Sequence, residues 1–413
     1  MKIMLVNTYY DPDIIGGAEI SVKKMAEGLA AKGNEVVILC TSECNKVDFQ
    51  SSIRIIRRHF KNIISYIKYK KSGKIKKAIF KAIDYYNFVN KLEIAKILDD
   101  EKPDIIHTNN LMGISASIWK VAKKKNIPVI HTLRDYLLMC PRASLMKNDG
   151  SECNECAELC KIYRRGLRKC SKNVDFVTAP SLCTLSRFVN EGYFQNSYKK
   201  VIYNAIDYDI NETKRYCFER KKQINKRDFN IIYIGGLYEH KGIKFLLDAF
   251  ELIDSENVTL NIAGKGELLS YVQKMQSKDS RIKYHGFLNE ADLRKLLEAN
   301  DLLIIPSLWQ EPFGRVILDA YRACIPVIGT DLGGIPELIV DGKTGFLVEP
   351  NKTEMMAKRI VELYSTKRLY NEMLDNVVKQ IENYSITKQI EKFEECYEQI
   401  IEFNVFGENK KFI

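Results

Sequence analysis

Two carboxylates, Glu311 and Asp319, stand eight positions apart in the stretch EPFGRVILDA. Pro312 and Gly314 disfavour a helix at its start, so Glu311 is predicted to lie in a loop. The following residues have the pattern of a buried helix, with Asp319 inside it. Because a carboxylate can accept hydrogen bonds from two neighbouring hydroxyls, one acid could hold a sugar and the other a ribose. A solvated glutamate beside a helix-surface aspartate is the alternative interpretation.

Glycine-rich turns follow several predicted strands. The residues in them that could approach a phosphate group are Gly16, Gly17, Gly235, Lys241 and Gly264. Main-chain amides at the start of a helix can hold a phosphate, and an ammonium group can pair with a diphosphate. Tight turns and solvated lysines are common, so each turn alone is weak evidence. Their repetition, again in DLGGIPE (331–337), favours a phosphate-bearing ligand.

Short apolar strands alternate with helical patterns in two rounds, which begin at KIMLV (2–6) and NIIYIGG (230–236). Continuous apolar strands separated by helices are typical of parallel sheets covered on both faces. The predicted fold class is therefore α/β, with two doubly wound Rossmann-like domains in tandem. Ligands bind beyond the carboxyl ends of such strands. The loops after the strands of both sheets are expected to face one interdomain cleft.

The 413 residues are too many for one ordinary core. An N-terminal domain is predicted over 1–208 and a C-terminal domain over 209–385. The polar stretch 209–227 is interpreted as a linker, and a helix within 386–413 is expected to pack back on the N-terminal domain. The apolar run at the start is too short for a signal peptide, and no stretch approaches the roughly 18 apolar residues of a membrane span.

The net charge of +11 equals the charge of residues 51–83, which contain eleven Lys and Arg and no acid. This basic segment could be a solvated surface, a nucleic-acid surface or a patch for anionic lipid. No recognisable nucleic-acid module accompanies it, so nucleic acid is not the expected partner. The interleaved Ile, Phe and Tyr residues favour an anionic membrane surface.

Five of the eleven cysteines fall between Cys140 and Cys170, in a cysteine-rich loop over 140–170. The spacing of Cys153, Cys156 and Cys160, together with Cys140, could ligate a structural zinc ion. Free thiols and disulfides are the alternatives, because five thiols exceed the four ligands of such a site.

Motifs spread over nearly the whole chain resemble those of family-4 retaining glycosyltransferases with the two-Rossmann GT-B fold. They are GGAE (16–19), PDIIH (103–107), VIYNAID (201–207), GGLYEHKG (235–242), AGKGE (263–267), HGFL (285–288), PSLWQEPFG (306–314) and GGIPELIVDGKTGFLVEP (333–350). The resemblance implies transfer of a sugar from a nucleotide diphosphate with retention of anomeric configuration. It implies no metal or other cofactor for catalysis.

The resemblance also assigns roles to residues. Glu311 would contact the transferred sugar, Asp319 the nucleotide ribose, and Lys241 the donor diphosphate, with Glu311 and Lys241 as the catalytic pair. Arg134 and Asp135 fall on the donor or acceptor side. The remaining donor contacts that it implies are Gly16, Gly17, Gly235, Gly264, Phe287, Phe313 and Gly314.

The chain departs from the family pattern at three positions: Asp319 replaces Glu, Gly236 replaces Arg and Arg134 replaces His. Two alternatives therefore accompany the main prediction, namely a two-Rossmann sugar-nucleotide 2-epimerase and a catalytically degenerate sugar-nucleotide-binding scaffold at the membrane. The main prediction is a bacterial enzyme of polysaccharide biosynthesis, cytoplasmic and peripheral at the inner face of the membrane. UDP is the expected donor nucleotide, and a lipid-linked glycan for O-antigen, capsule or exopolysaccharide is the expected acceptor.

Overall fold

The computed structural model describes residues 1–13, 16–62, 72–84, 86–147, 150–153, 156–223 and 228–406. The chain divides into two compact units. The first unit comprises 1–145, 153–204 and the chain from Ile386 onward, and the second comprises 146–152 and 205–385. The main boundary between the two units thus lies between Asn204 and Ala205, slightly before the predicted boundary between 208 and 209. Residues 146–152 of the cysteine-rich loop also belong to the second unit.

The first unit contains an eight-stranded sheet in the order β3-β4-β2-β1-β5-β6-β7-β8. All neighbouring pairs are parallel except β3 and β4, which form an antiparallel edge. The strands are β1 (Lys2–Val6), β2 (Glu35–Thr41), β3 (Lys46–Gln50), β4 (Ile53–Arg58), β5 (Ile105–Thr108), β6 (Val129–Thr132), β7 (Phe176–Ala179) and β8 (Tyr198–Val201).

Helices connect β1 to β2 and each of the strands from β4 to β8, as crossovers between parallel strands commonly do. They are α1 (Gly17–Ala31), α2 (Lys74–Asp84), α3 (Phe88–Glu101), α4 (Ser117–Lys124), α5 (Glu158–Ser171) and α6 (Leu182–Asn190). A further helix of this unit, α14 (Ile386–Phe406), comes from the far end of the chain. Its Ile390, Phe393 and Tyr397 are buried in one apolar cluster with Val22 of α1 and Ile3 of β1.

The second unit contains a six-stranded, wholly parallel sheet in the order β11-β10-β9-β12-β13-β14. Its strands are β9 (Phe229–Ile234), β10 (Val258–Ala263), β11 (Ile282–Tyr284), β12 (Leu302–Ile305), β13 (Val327–Thr330) and β14 (Gly345–Val348). Its helices are α7 (Ile210–Gln223), α8 (Ile243–Glu251), α9 (Leu269–Lys278), α10 (Glu290–Glu298), α11 (Val316–Arg322), α12 (Thr353–Ser365) and α13 (Lys367–Ile381). Short 3-10 turns cover Glu239–Lys241, Ile335–Glu337 and Glu382–Tyr384.

The interpretation of 209–227 as a linker is wrong over most of its length, because α7 occupies it. Thr213, Cys217 and Arg220 are the buried residues of this helix. The Arg220 guanidinium donates to the carbonyl oxygens of Ala323 (3.2 Å) and Glu298 (2.8 Å). A buried stripe built from a threonine, a cysteine and an arginine has no apolar period, so the sequence pattern did not predict a helix.

The basic segment is only partly a surface. Its residues 53–58 form β4, where Ile53, Ile55 and Ile56 are buried. Arg57 is also buried, and its Nε donates to Asp48 Oδ2 of β3 at 2.8 Å. These four buried side chains of β4 cannot contact a membrane, and for the rest of 51–83 the membrane patch stays a prediction. The part over 63–71 lies outside the described residues. In the described part of the chain, no helix is both long and apolar enough to cross a bilayer.

Candidate active site

A pocket of about 180 Å³ opens at the carboxyl edge of the second sheet, where β9 and β12 end. It lies at the place where open α/β sheets bind ligands. Its lining includes Gly235, Lys241, Ser307, Glu311 and Gly314. Four of the predicted donor residues therefore meet in one pocket, together with a serine that was not predicted.

The packing of two loops brings Lys241 to Glu311. Lys241 ends the 3-10 turn after β9, and Glu311 lies in the loop after β12, the neighbouring strand. Gly242 adopts φ +71°, and a Cβ atom there would lie 1.7 Å from the Pro306 carbonyl oxygen. Only glycine permits this approach. The Leu308 amide also donates to the His240 carbonyl at 2.9 Å, which joins the two loops.

Lys241 and Glu311 form an ion pair, with Nζ 2.6 Å from Oε1. The Ser307 hydroxyl donates to the same oxygen at 2.7 Å, and the ammonium lies 4.7 Å from the centroid of the Trp309 ring. Burial raises the pKa of the Glu311 carboxyl, but the Lys241 ammonium and the hydrogen bonds outweigh it and hold that pKa below its ordinary value. The pocket thus holds a fixed anion beside a fixed cation.

Asp319 lies in α11, the helix that begins just after the Glu311 loop, and is not part of the pocket lining. Arg322 Nη2 lies 3.8 Å from Asp319 Oδ1. Burial raises the pKa of the Asp319 carboxyl above its ordinary value, although the Arg315 and Arg322 guanidinium groups act in the opposite direction. The two acids of the sequence motif therefore have opposite pKa shifts.

The loops after β9, β10 and β11 pack against one another. Gly264 has φ +155°, and a Cβ atom there would lie 1.8 Å from the Gly235 carbonyl oxygen. The Gly264 amide donates to the Gly286 carbonyl at 2.8 Å. Phe287 is largely exposed, with Lys265 Nζ 4.1 Å from its ring centroid. Phe313, by contrast, is buried. The Lys265 ammonium thus lies over the exposed Phe287 ring, next to the glycine turns.

In the first unit, Arg134 lies just after β6 and bridges two asparagines. Its Nε donates to Asn109 Oδ1 at 3.0 Å, and its Nη1 donates to Asn204 Oδ1 at 2.6 Å. Asn109 follows β5, and Asn204 follows β8. The guanidinium is therefore held at the carboxyl edge of this sheet.

Asp135 lies beside Arg134 in the chain and is held by Asn110 and Leu137. Asn110 Nδ2 donates to Asp135 Oδ2 at 3.2 Å, and the Leu137 amide donates to Oδ1 at 2.7 Å. Burial raises the pKa of this carboxyl to about 6, opposed by the hydrogen bond from Leu137.

Gly16 and Gly17 lie at the start of α1, as the sequence predicted. The Gly16 amide donates to Glu19 Oε2 at 2.9 Å, so a side chain of the same helix already uses it. This is one half of a capping box: the N3 glutamate accepts from the N-cap amide, and glycine has no side chain to return the bond. A phosphate that used the Gly16 amide would have to displace the Glu19 carboxylate.

All eleven cysteines are free thiols in the structure. Burial raises the pKa of the Cys160 thiol, and the neighbouring Cys140, Cys156 and Cys153 raise it further. Within the described ranges, no group of three or more His, Cys, Asp or Glu side chains is arranged to hold a metal ion. The zinc site stays a prediction.

Several site residues were missed by sequence reasoning: Ser307, Asn109, Asn110 and Asn204. Ser307 follows β12, and Asn109 and Asn110 follow β5. Their position after a strand was the available signal, because that edge carries the ligand sites in this fold class. Small polar residues are common in every loop, however, so the residue type did not distinguish them.

Two family matches cover the chain in succession. Residues 15–210 match Glycosyltransferase Family 4, and residues 217–395 match Glycosyl transferases group 1. An uncharacterised 42.6 kDa protein in the cps region of Klebsiella pneumoniae is 34% identical over 82% of this chain and 87% of its own length. An uncharacterised glycosyltransferase of Methanocaldococcus jannaschii is 26% identical over 93% of this chain and 95% of its own. The crystal structure of HepE from Anabaena in complex with UDP aligns with a TM-score of 0.70 at 18% identity, covering 97% of this chain and 100% of that one.

Proposed function

We propose, from the premise that this chain is a family-4 glycosyltransferase with the GT-B fold, that it transfers a sugar from a UDP-sugar to a lipid-linked glycan with retention of anomeric configuration. The UDP bound by HepE, a protein of the same fold, supports the nucleotide. The relative in a cps region supports an acceptor in capsule synthesis. Binding a lipid-linked acceptor would place the enzyme at the inner face of the membrane.

The observation that carries the proposal is the Lys241–Glu311 pair in the pocket of the second unit. In this proposal, the Lys241 ammonium moves from Glu311 toward the donor diphosphate and stabilises the charge that develops there. A cation already held in this partly buried site is more effective than water at this task, because it only exchanges one anionic partner for another nearby. The freed Glu311 carboxylate accepts hydrogen bonds from the hydroxyls of the sugar.

The reaction breaks the bond between the anomeric carbon and the β-phosphate oxygen and forms one from that carbon to an acceptor hydroxyl. The acceptor proton passes to the departing diphosphate. Glu311 is the only carboxylate among the described residues that line the pocket, and in this proposal it is held by the Ser307 hydroxyl and by the hydroxyls of the sugar. This favours attack on the same face as the leaving group over a covalent intermediate on a protein side chain.

On the acceptor side, we assign Arg134 and Asp135 to binding of the incoming glycan. Because the pKa of Asp135 is about 6, its carboxyl would accept a hydrogen bond from a glycan hydroxyl when ionised and donate one when protonated. Asp319 is assigned to the ribose of the donor, and Phe287 with Lys265 to the base.

The proposal is tested with Glu311→Gln, which keeps the shape of the side chain and removes its charge. We expect sugar transfer from the matching UDP-sugar to fall about 100-fold or more, with UDP affinity changed only a few-fold. Asp319→Asn should instead weaken UDP binding. Calorimetry measures UDP binding, and NMR of the product reports the anomeric configuration.

The matched control is Glu354→Gln, an exposed acid on α12 of the same unit. It should transfer sugar at the wild-type rate. Full activity of Glu311→Gln, or a product of inverted configuration, would contradict the proposal. Consumption of the donor without any acceptor would favour an epimerase or hydrolase instead.

A further inference from the structure

Helix α3 exposes an apolar face in its first two turns. Phe88 is 66% exposed and Leu92 is 69% exposed, with Val89 exposed between them. These positions lie one helical turn apart, so they share one face. The buried residues of the helix, among them Ile94 and Leu98, lie on the opposite side. Exposed apolar side chains of this size in adjacent positions mark an interaction surface.

The preceding helix has an exposed apolar pair of its own. In α2, Ile79 and Ile83 are exposed one turn apart, whereas Phe80 is buried. We call Ile79, Ile83, Phe88, Val89 and Leu92 the junction patch, since they flank the turn between α2 and α3.

The junction is attached to the loop after β5, which carries Asn109 and Asn110. Both carboxylate oxygens of Asp84, the last residue of α2, accept from the Gly113 amide at 3.0 and 2.9 Å. The Asn87 amide, at the N-cap of α3, donates to Ser115 Oγ at 2.9 Å. The junction patch therefore lies at the carboxyl edge of the first sheet, where the candidate acceptor residues lie.

A second exposed apolar pair lies next to the loop after β6. Helix α5 exposes Leu159 and Ile162 in its first two turns. Its Tyr163 hydroxyl and Arg164 Nε donate to the carbonyls of Leu137 (2.8 Å) and Met139 (2.7 Å) in that loop. The Lys81 ammonium of α2 donates to the Pro141 carbonyl, so α2 and α5 both contact this loop.

Cations predominate near these apolar residues. Lys76 and Lys81 lie on α2, and residues 161–172 contain six Lys and Arg and no acid. The acids that adjoin Leu92 and Leu159 are paired with cations, since Glu93 lies 3.4 Å from Arg58 and Glu158 lies 2.6 Å from Lys161. Lys91 Nζ lies 5.3 Å from the centroid of the Phe88 ring. Helices with an apolar face and flanking cations bind at the boundary of anionic membranes, where the apolar side chains enter the acyl region and the cations meet the headgroups.

We propose that the junction patch docks the first unit on an anionic lipid bilayer, with Phe88 and Leu92 entering the lipid. Within the segment 51–83, for which a membrane contact was predicted, β4 is largely buried, so the apolar contact comes instead from α2 and from α3, which lies beyond that segment. Its purpose rests on the proposed function: the edge that carries Arg134 and Asp135 would face the membrane from which a lipid-linked acceptor is presented.

The test is sedimentation of the full chain with vesicles of phosphatidylcholine alone or of an equimolar mixture with phosphatidylglycerol. We expect binding to the mixed vesicles and little binding to phosphatidylcholine alone. The double variant Phe88→Ser with Leu92→Ser should bind mixed vesicles about tenfold more weakly or worse. The control is Phe218→Ser, whose ring is 60% exposed on the lysine-rich helix α7, with Lys222 Nζ 4.0 Å from its centroid.

A second measurement locates the contact. The two native tryptophans, Trp119 and Trp309, are buried, so a tryptophan introduced as Leu92→Trp reports its own surroundings. Its emission should shift to shorter wavelength with mixed vesicles, and that of Phe218→Trp should not.

Equal vesicle binding by the Phe88/Leu92 double variant and the wild type, or no vesicle binding by the wild type, would overturn the proposal. If the wild type bound no vesicles, the junction patch would instead be assigned to a protein partner. Calorimetry of UDP binding separates this proposal from the proposed function. If the protein binds UDP but not vesicles, only the membrane contact is refuted. If it binds vesicles but not UDP, only the transferase site is refuted.

Discussion

The charge of Glu311 depends on Lys241. Two opposing effects act on the carboxyl: burial favours its neutral form, and the ammonium 2.6 Å away, with the Ser307 hydroxyl, favours its ionised form. The second effect prevails, so the carboxylate is ionised at neutral pH without help from a ligand. The cation is thus poised to exchange an internal partner for a substrate diphosphate.

Lys241→Met should destabilise the second unit by about 1–3 kcal/mol at pH 7, because it leaves a partly buried carboxylate without its cation. In the wild type, the lowered pKa of Glu311 contributes stability above its ordinary pKa of 4.5, and that contribution is lost as the pH falls. In the variant, only the hydrogen bonds from Ser307 and Trp309 oppose burial, so the pKa of Glu311 rises relative to the wild type. The difference in melting temperature should therefore be larger at pH 7 than at pH 4.

The control for this prediction is Lys244→Met, since Lys244 pairs with Glu239 at a more exposed site. Exposed pairs contribute less than about 1 kcal/mol. If both lysine variants lost the same stability at pH 7, the coupling of Lys241 to Glu311 would be no stronger than a surface ion pair.

At the scale of single elements, the last residue of α2, Asp84, is a buried carboxyl that accepts from the Gly113 amide. Burial raises the pKa of Asp84 to about 7, although the Gly113 amide opposes the shift. The folded protein therefore binds a proton that the unfolded chain releases near pH 4. By linkage, this residue makes the first unit less stable as the pH rises from about 4 to 7.

Asp84→Asn should remove that dependence, because the amide is neutral at every pH in this range and still accepts from Gly113. Relative to the wild type, the variant should gain stability on going from pH 5 to pH 8, by on the order of 1–4 kcal/mol. Denaturant unfolding at the two pH values measures the change. Asp100→Asn, at an exposed position of α3, is the control and should show no such gain.

On the scale of the whole molecule, the end of the chain completes the first unit. Phe393 and Tyr397 of α14 are fully buried beside His107 of β5. His107 Nδ1 lies 2.7 Å from the Tyr397 hydroxyl, and Nε2 lies 2.6 Å from Thr132 Oγ1. Burial lowers the pKa of His107 well below its ordinary value, so the ring is neutral and both nitrogens have partners. The first unit therefore cannot close its core until α14 is made.

Phe393→Ala should lower the free energy of unfolding of the first unit by about 3–5 kcal/mol, the usual result of emptying a buried aromatic site. Hydrogen exchange resolved by peptide should show faster exchange in β1, β5 and α1, with the strands of the second unit unchanged. Val361→Ala, an exposed position on α12, is the control. Equal protection of β1 and β5 in Phe393→Ala and the wild type would contradict this role of α14.

The sequence alone determined the strand–helix alternation, the two Rossmann-like units and the Lys241–Glu311 candidates, because these depend on local period and on position after a strand. It did not predict α7, whose buried stripe is polar, or the antiparallel β3–β4 edge, where Arg57 is buried by an aspartate on the next strand. Such contacts depend on partners far away in the chain, which no local pattern records.

Only the tertiary structure decided which candidates meet. In the structure, Ser307 donates to the Glu311 carboxylate of the Lys241–Glu311 pair, and Glu19 accepts from the Gly16 amide. Exposed apolar residues of α2 and α3 lie at the edge of the first sheet that carries Arg134. A residue type states what a side chain can do. Its charge state, its neighbours and its exposure are set by burial and by the packing of loops, and these exist only once the sheets have formed.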